Sequence, residues 1–528
     1  MLFQAKLFFI CRFLPGYKVI ELTFPNTKTV FQSLPQRTSS LTLATKSADN
    51  MANRRKGGGD NLSRSGAKKS KKSDSETDPL TAAGGFPYLD AELFPYWMNS
   101  ERCRLLTPKV TKPREAQPNE HSCIIYWMQR DMRTQDNWAM LLAQHLASES
   151  KVPMRVLFFL PPPYTISPKP NFDDNTAKYP HMSERHGIFL LGGLKCVENE
   201  CQRLNIPFDV ICPSSTNEDG NQLELKSSVA MDLANYAASP KHKALAVVTD
   251  QSPLRHIRKW TELEAVDAFH NHPELSEVPL YQVDAHNVVP VWFASDKKEV
   301  GARTLRPKID KNLSKFMTIY PTLKGNAHIK DNLIPDNKNV NWKKCEVFLQ
   351  MDPSVASVPW AEPGTGGGLK QLNKFLSQGL KTFDQERNNP TLSHVCSSLS
   401  PWTNYGHLSF QAVALKVRHL EKWFEAKAAF IEEGIVRREL SDNFLFYNRD
   451  GYDTIEGGAA EWAKESLRLH EQDEREYLYT IEEFEQGQTH DDLWNAAQIQ
   501  LVQTGKMHGF VSVLVAFYFC SFMTTIKY

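Results

Sequence analysis

Short apolar runs that alternate with helical patterns dominate the middle of this chain, and they constrain its fold more than any other feature. Cys123–Met128 is one such run, and similar runs follow at 155–160, 207–211, 244–249 and 280–283. Each run has the length of a buried strand and is bordered by polar residues or prolines. The alternation predicts a doubly wound α/β domain in which five strands form a parallel sheet with helices on both faces.

The carboxyl ends of parallel strands meet at one edge of such a sheet, and ligands of doubly wound folds bind there. Asp131 follows the first predicted strand, and Asp250 and Ser252 follow the fourth. We therefore expect a small-molecule crevice beside these three residues. Asp136 is the predicted N-cap of the first helix. A Rossmann-type dinucleotide site is not expected, because the first strand–helix turn lacks Gly-x-Gly-x-x-Gly.

The remaining sequence predicts two further regions after the α/β domain at 86–294. Periodicity fades over 295–368, where prolines are frequent, so this stretch is expected to be a long interdomain linker that ends in the flexible glycine-rich run at 364–368. A helical pattern without strands then fills 369–510, which predicts an all-α domain.

Both ends of the chain depart from globular composition. Residues 1–50 carry six basic and two acidic side chains, which is typical of an organelle transit peptide or of an extension upstream of a second start at Met51. The basic, glycine-rich segment 51–85 predicts disorder, and serves as a nuclear signal, a DNA-binding arm or a plain solvated tail. The apolar tail 511–528 is shorter than the ~20 residues of a membrane helix, so we expect a buried terminus and no membrane partner.

The net charge and the cysteine content exclude few classes of function. The formal net charge of +1 gives the whole molecule no preference for a polyanion, so a nucleic-acid surface would need local sorting of charge. Nine scattered cysteines without a Cys-x-x-Cys pair indicate reduced thiols, and no metal site is expected.

Two segments of the helical region could hold an anion. A basic stretch at 380–390 precedes a serine-rich turn at 397–402, and Arg387 with hydroxyls and backbone N–H groups can meet a pyrophosphate there. An ordinary serine N-cap followed by proline explains the same turn. In the helix at 435–444, Arg438 could pair with a phosphate, although a charge cluster on a helix surface is an equal explanation.

Several motifs occur together in one order along the chain: YWMQRD at 126–131, ARTLRPKI at 302–309, SSLSPW at 397–402, DDLWNAAQ at 491–498 and GKMHGF at 505–510. None of them is decisive alone. Their common order over about 87–510 resembles class II cyclobutane pyrimidine dimer photolyases, which belong to the photolyase/cryptochrome family. The resemblance implies light-dependent DNA repair by electron transfer from reduced FAD, with the flipped-out lesion above the flavin.

The resemblance also implies roles for particular residues. Trp494 would carry electrons, and Glu439 would polarise a pyrimidine carbonyl of the lesion. The DNA contacts would be Arg437, Asn443 and Met507. The cofactor contacts would be Phe383, Arg387, Ser397, Ser398, Leu399, Ser400, Arg438, Lys506, His508 and Gly509.

This chain departs from the family pattern at a few positions. Phe383 stands where the family usually has tyrosine, Gly434 where it has a larger apolar residue, and Gln500 where it has glutamate. After Phe510 the tail contains none of the family's further flavin-pocket residues. The expectation is a chain truncated after Phe510, with an incomplete all-α FAD-binding domain, weak FAD retention and little repair activity.

The expected partner is double-stranded DNA containing cyclobutane pyrimidine dimers, bound by a monomer. A second, light-harvesting chromophore, a deazaflavin or a folate, could occupy the α/β domain. The expected location is the nucleus, with the chloroplast or mitochondrion as an addition if 1–50 is a transit peptide. Two alternatives remain open: a cryptochrome-like photosensor and a non-catalytic remnant that binds DNA or protein.

Overall fold

The computed structural model describes residues 86–88, 94–116, 121–162, 182–213, 229–329, 339–449, 451–474 and 477–511. All of these residues belong to one compact unit. The predicted transit peptide at 1–50, the basic segment at 51–85 and the tail from 512 onward lie outside the described residues.

Six strands form one sheet in the order β1-β6-β5-β2-β3-β4. They are β1 (Cys103–Leu105), β2 (Cys123–Met128), β3 (Met154–Phe159), β4 (Phe208–Ile211), β5 (Ala244–Asp250) and β6 (Leu280–Val283). Strands β2 to β6 pair in parallel, which confirms the five predicted strands. The prediction missed β1, which pairs antiparallel with β6 and places Cys103 opposite Val283. A strand of three residues is too short to show a recognisable pattern of apolar residues.

The central strands are buried along their whole length. Every residue of β2, β3 and β5 is buried, because helices cover both faces of the sheet. Tyr126 and Val156 pack into the core on one face, while Ile125, Trp127 and Leu157 pack into the core on the other. Continuous apolar runs are therefore the correct signal for these strands.

The helices alternate with the strands and then follow one another. In the α/β part they are α1 (Trp138–Ser150), α2 (Glu184–Arg203), α3 (Val229–Ala238) and α4, which runs through Arg255–Arg258, a π-helical turn at Lys259–Glu264, and Ala265–Asn271. The first helix begins one residue later than predicted, since Asn137 is the N-cap and accepts from the backbone N–H groups of Ala139 and Met140. Asp136 instead adopts a left-handed φ of 55°.

The predicted interdomain linker at 295–368 contains helices that its faded periodicity did not indicate. It contains α6 (Ala302–Phe316) and α7 (Trp342–Leu349), and the glycine-rich run opens α8 (Gly364–Gln378). Packing explains the difference: Leu305 and Ile309 enter the core of the helical part, and Gly367 is buried. Burial of an amphipathic face stabilises a helix that intrinsic propensity alone would not form.

The rest of the helical part consists of short elements that contribute to several hydrophobic clusters. They are α5 (Val291–Ala294), α9 (Phe383–Glu386), α10 (Ser400–Asn404), α11 (Phe410–Arg418), α12 (Phe424–Ile431), α13 (Arg438–Tyr447), α14 (Ile455–Gly458), α15 (Glu461–Leu469), α16 (Ile481–Gln486) and α17 (Asp492–Thr504). A π-helical turn at Glu432–Arg437 joins α12 to α13 without a break. No helix in these ranges is both long and apolar enough to cross a membrane.

Gly434, which departs from the family pattern, is explained by a close contact in this π-helical turn. A β-carbon at this position would lie 1.6 Å from Cζ of Phe410, which is impossible without movement. The aromatic ring thus occupies the space that a larger residue would need.

We expect Gly434→Ala to destabilise the chain by about 1–3 kcal/mol, the usual cost of overpacking a core. Alanine has a higher helix propensity than glycine by about 1 kcal/mol, so the clash must outweigh that gain. Urea unfolding measures the difference. Gly366→Ala in α8 is the matched control, because nothing lies within 4 Å of a β-carbon there. Equal effects of the two substitutions would contradict the packing argument.

Candidate cofactor site

Protein groups surround the carboxyl end of β5. Asp250, at the end of β5, accepts hydrogen bonds from Tyr126 Oη at 2.9 Å and from the backbone N–H groups of Gln129 and Arg130 at 2.8 and 2.6 Å. Burial and the nearby charge of Asp131 raise the pKa of Asp250 to about 6. The side chain of Asp250 is thus committed to holding the turn that follows β2.

The helical part packs directly on that turn. Gly406 has a φ of 63°, and a β-carbon there would lie 2.3 Å from the carbonyl oxygen of Arg130. Arg133 donates to the carbonyl of Gly406 at 2.9 Å and to Asp131 at 2.5 Å, and His286 contacts Asp131 at 3.1 Å. Burial opposes ionisation of Asp131, but Arg133 and His286 outweigh it and lower its pKa.

Asp131, Asp250 and Ser252, beside which a crevice was predicted, are all buried. Among the described residues, the helical part packs on the turn after β2 at this point. The crevice stays a prediction, because residues 163–181 and 214–228, which follow β3 and β4 in the chain, are outside the described ranges.

Helix α13 is anchored to the same edge by Asp442. This carboxylate accepts from two nitrogens of Arg130, at 2.6 and 3.1 Å, and from Nδ2 of Asn287 at 3.0 Å. Burial alone would raise the pKa of Asp442, but the Arg130 guanidinium holds it at about 2. The pair fixes the orientation of α13, which carries the predicted site residues Arg438, Glu439 and Asn443.

Glu439 has an internal position among the described residues, and its predicted catalytic role stays a prediction. Its side chain is 3% exposed, and its two oxygens accept from the backbone N–H groups of Val288 at 2.5 Å and Val289 at 3.4 Å. Burial raises the pKa of Glu439 to about 8, against the opposing charge of Arg438. Glu439 joins α13 to the segment that follows β6.

Two of the three predicted DNA contacts are also internal. Asn443 is buried, accepts from the backbone N–H of Glu299 and donates to the carbonyl of Lys297. Met507 is buried in a cluster with Trp494 and Phe484. Only Arg437 lies on the surface, with its side chain 45% exposed and 3.5 Å from Glu432. From the sequence alone, an apolar side chain such as Met507 or an amide such as Asn443 can be either a DNA contact or a core residue.

Several predicted cofactor residues, more than a hundred positions apart, do come together. Lys506 Nζ lies 3.5 Å from Ser400 Oγ, and His508 Nε2 lies 3.5 Å from the thiol of Cys396. The same thiol lies 3.5 Å from the carbonyl of Arg387. We call Arg387, Cys396, Ser400, Lys506 and His508 the cationic cradle.

The charge of the cradle fits a diphosphate. Arg387 and Lys506 supply two cations, and the carboxylate of Glu433 lies 3.8 Å from the Arg387 guanidinium. Burial lowers the pKa of His508, and burial also raises the pKa of Cys396 despite the pull of Lys506. Two cations beside a hydroxyl-bearing turn can hold a doubly charged group such as the diphosphate of FAD.

The remaining predicted cofactor residues surround the cradle or lie apart from it. Phe383 lies under the Arg387 guanidinium, 5.6 Å from its ring centre, and Ser398 adopts a left-handed φ of 55° within the turn. Ser397 Oγ is 3.5 Å from the backbone N–H of Leu399. Gly509 has open space around it. Arg438 lies elsewhere, since it donates to the carbonyls of Gly434 and His286.

Sequence reasoning missed Cys396, which joins the two halves of the cradle. The signal was available, because Cys396 directly precedes the serine-rich turn. A cavity of about 600 Å³ lies elsewhere, lined by Phe446, Tyr447, Asn448, Arg449, Gly451, Thr454 and Gly457. It shares no residue with the cradle, so cavity size does not identify the site.

Trp494 begins a row of aromatic rings that sequence reasoning also missed. Its ring centre lies 5.0 Å from that of Phe484, which lies 5.5 Å from that of Tyr479. The imidazole of His490 stacks on Tyr479 at 5.9 Å and on Tyr477 at 3.8 Å. Trp494 and Phe484 are buried, whereas Tyr477 is exposed, so this aromatic row connects the core near Met507 to the surface.

The raised pKa of Glu439 predicts a particular pH dependence of stability. The folded chain keeps a proton on Glu439 that the unfolded chain releases above about 4.5, so this contribution is complete below pH 4.5 and is lost as the pH rises towards 8. Because glutamine does not titrate, we expect Glu439→Gln to remove this pH-dependent loss of stability. The free energy of unfolding of the variant, relative to the unsubstituted chain, should rise from pH 5 to pH 8 in urea titrations. Parallel curves would contradict a neutral Glu439 in the fold.

Comparison with known proteins gives the family. A model described as DNA photolyase matches residues 124–325. The deoxyribodipyrimidine photo-lyase of Potorous tridactylus is 40% identical over 414 residues, which is 78% of this chain and 69% of the relative. That of Arabidopsis thaliana is 36% identical over 76% of this chain and 75% of the relative.

Two solved structures share the fold. A photolyase from Sulfolobus tokodaii with two FAD molecules has a TM-score of 0.50 at 15% identity, covering 75% of this chain and 74% of its own. A cryptochrome from Synechocystis has a TM-score of 0.56 at 14% identity, covering 76% and 75%. Sequence identity over most of the chain, together with the fold, shows that this chain belongs to the deoxyribodipyrimidine photo-lyase family.

Proposed function

We propose that the chain repairs cyclobutane pyrimidine dimers in DNA by light-driven electron transfer, with FAD as its cofactor. The observation that carries the proposal is the cationic cradle, in which distant segments bring Arg387, Ser400 and Lys506 to one place. Identity to deoxyribodipyrimidine photo-lyases over most of the chain supports the same activity. When bound and reduced, FAD supplies the photoexcited electron that splits the cyclobutane ring.

The residues of the chain would position the cofactor and supply electrons. Arg387 and Lys506 would neutralise the diphosphate, and the Ser400 hydroxyl would add a hydrogen bond. Trp494 is an oxidisable ring in the aromatic row, and its burial keeps it away from solvent quenchers. Glu439 would contribute indirectly, because it holds α13 in place.

The proposed substrate is double-stranded DNA that contains pyrimidine dimers, with the lesion flipped out of the stack and the chain acting as a monomer. Arg437 is a surface cation on the turn before α13 and is suited to contact a phosphate. Because the basic segment 51–85 resembles a nuclear signal, a nuclear location is part of the proposal, and 1–50 extends it to the chloroplast or mitochondrion. A second chromophore, deazaflavin or folate, would add light harvesting.

The direct test is repair by the purified full-length chain. The chain is reconstituted with FAD, reduced, and illuminated with an oligonucleotide that carries one thymine dimer. We expect dimer splitting in light and none in darkness. Flavin absorbance without splitting would instead support a cryptochrome-like photosensor. A colourless folded protein that cannot be reconstituted would support the non-catalytic remnant.

The cradle predicts which residues control FAD affinity. We expect Lys506→Ala and Arg387→Ala each to weaken FAD binding by about 10- to 100-fold, since a hydrogen bond to a charged group contributes about 1.5–3 kcal/mol. Fluorescence titration with FAD measures the dissociation constant. Lys370→Ala is the control, because Lys370 is exposed on α8 and pairs only weakly with Glu362. Unchanged affinity in the two cradle variants would overturn the assignment of the cradle.

A further inference from the structure

The outer end of the aromatic row contains a hydrogen-bonded phenol and imidazole. Tyr479 Oη lies 2.6 Å from Nδ1 of His490, which is short for a hydrogen bond between these groups. The backbone N–H of His490 donates to the same Tyr479 oxygen at 2.8 Å. With that oxygen already accepting, the phenolic proton points at Nδ1, so His490 carries its own ring proton on Nε2.

We propose that Tyr479 and His490 form a proton-coupled redox pair, in which His490 Nδ1 takes the phenolic proton when Tyr479 gives an electron to Trp494. The inference rests on the electron-transfer role of Trp494 in the proposed function. Because the phenolic proton leaves together with the electron, Tyr479 becomes a neutral radical, and no positive charge builds up on its ring.

The step balances in electrons and protons. The oxidant is a tryptophan radical cation at Trp494, which the electron transfer of the proposed function would supply. One electron moves from Tyr479 to Trp494, the Tyr479 O–H bond breaks, and an N–H bond forms at His490 Nδ1. The products are neutral Trp494, a neutral tyrosyl radical and an imidazolium, so the single positive charge has moved outward. An external thiol then gives one electron, the imidazolium returns its proton to the Tyr479 oxygen, and the thiol becomes a thiyl radical as its own proton passes to water.

The surroundings of the pair suit both products. The backbone N–H of His490 remains bonded to the oxygen of the tyrosyl radical. The ring of Tyr477 lies flat on the imidazole, with centres 3.8 Å apart and planes 11° apart, so its π-face stabilises the imidazolium. Because Tyr477 is 37% exposed and His490 is exposed, the transferred proton can exchange with water.

Ring contacts provide the route for the electron. Phe484 touches both Trp494 and Tyr479, with ring centres 5.0 and 5.5 Å away. Electron tunnelling falls steeply with the gap between donor and acceptor, and a packed ring between them lowers the barrier without being oxidised itself. A purely structural role is the competing explanation: the hydrogen bond would then only hold residue 479 to the loop before α17.

The test oxidises the aromatic side chains directly and needs no flavin. A nanosecond ultraviolet laser pulse photoionises the tryptophans of the purified full-length chain, buried ones included, and the conversion of tryptophan radical to tyrosyl radical is followed by absorbance. We expect the yield of tyrosyl radical to fall in Tyr479→Phe and the conversion to be slower in D2O for the unsubstituted chain. In His490→Phe the conversion should fall about 100-fold, the usual minimum cost of losing a positioned general base.

His490→Gln separates the two explanations. Glutamine can accept the hydrogen bond of Tyr479 but is not basic, so it should behave like the unsubstituted chain if the bond is only structural and like His490→Phe if a proton is transferred. His470→Phe is the control, since His470 is exposed and pairs with Asp473 outside the aromatic row. Thermal unfolding confirms that each variant is folded.

Three results would overturn the inference: an unchanged yield of tyrosyl radical in Tyr479→Phe, normal conversion in His490→Gln, or an unsubstituted chain without a solvent isotope effect. The last result needs no variant, so misfolding of a substituted chain cannot leave the question open. If the conversion behaves as expected while dimer repair is absent, the redox pair stands and the proposed function fails.

Discussion

The carboxylate of Asp250 binds the backbone of the turn after β2, and the junction between the α/β and helical parts depends on this arrangement. The turn presents Arg130 to Asp442 on α13 and Asp131 to Arg133 and His286. A buried carboxylate without partners would be costly, so the fold supplies each of these groups with donors. The network is also specific, because removing one member leaves another buried and unsatisfied.

The junction fixes α13 against the sheet, while the residues of the cationic cradle lie elsewhere in the helical part. With α13 held against the sheet edge, Arg387 and the serine-rich turn come together on one side with Lys506 and His508. The cradle therefore lies within the helical part and away from the edge where nucleotides usually bind in doubly wound folds.

Sequence reasoning succeeded where one physical signal was dominant. Fully buried strands such as β2 and β5 are recognisable because both faces are covered, so no polar alternation is needed. The cradle was predicted from motif resemblance at Arg387, Ser400, Lys506 and His508, and these residues do meet. In contrast, β1 has three residues and is defined only by its pairing with β6.

Long-range packing also places side chains in surroundings that the sequence does not reveal. Glu439 and Asn443 carry polar groups on a helix, and segments at 288–289 and 297–299 bury them, while their predicted roles stay predictions. The glycine-rich start of α8 has low helix propensity, and only tertiary packing makes it helical. In each of these segments, long-range contacts determine a burial or a helical conformation that local sequence preference does not predict.

The π-helical turn between α12 and α13 has a consequence for how this chain can vary. A π-turn accommodates one residue more than an α-helix of the same length, and successive helical residues are about 100° apart around the axis. Loss of a single residue between 432 and 437 would therefore convert the turn to regular α-helix and leave α13 nearly in register with α12. The same loss within α13, between Arg438 and Asp442, would rotate Asp442 away from Arg130, so the π-helical turn is the place in this helix pair that best tolerates a shorter chain.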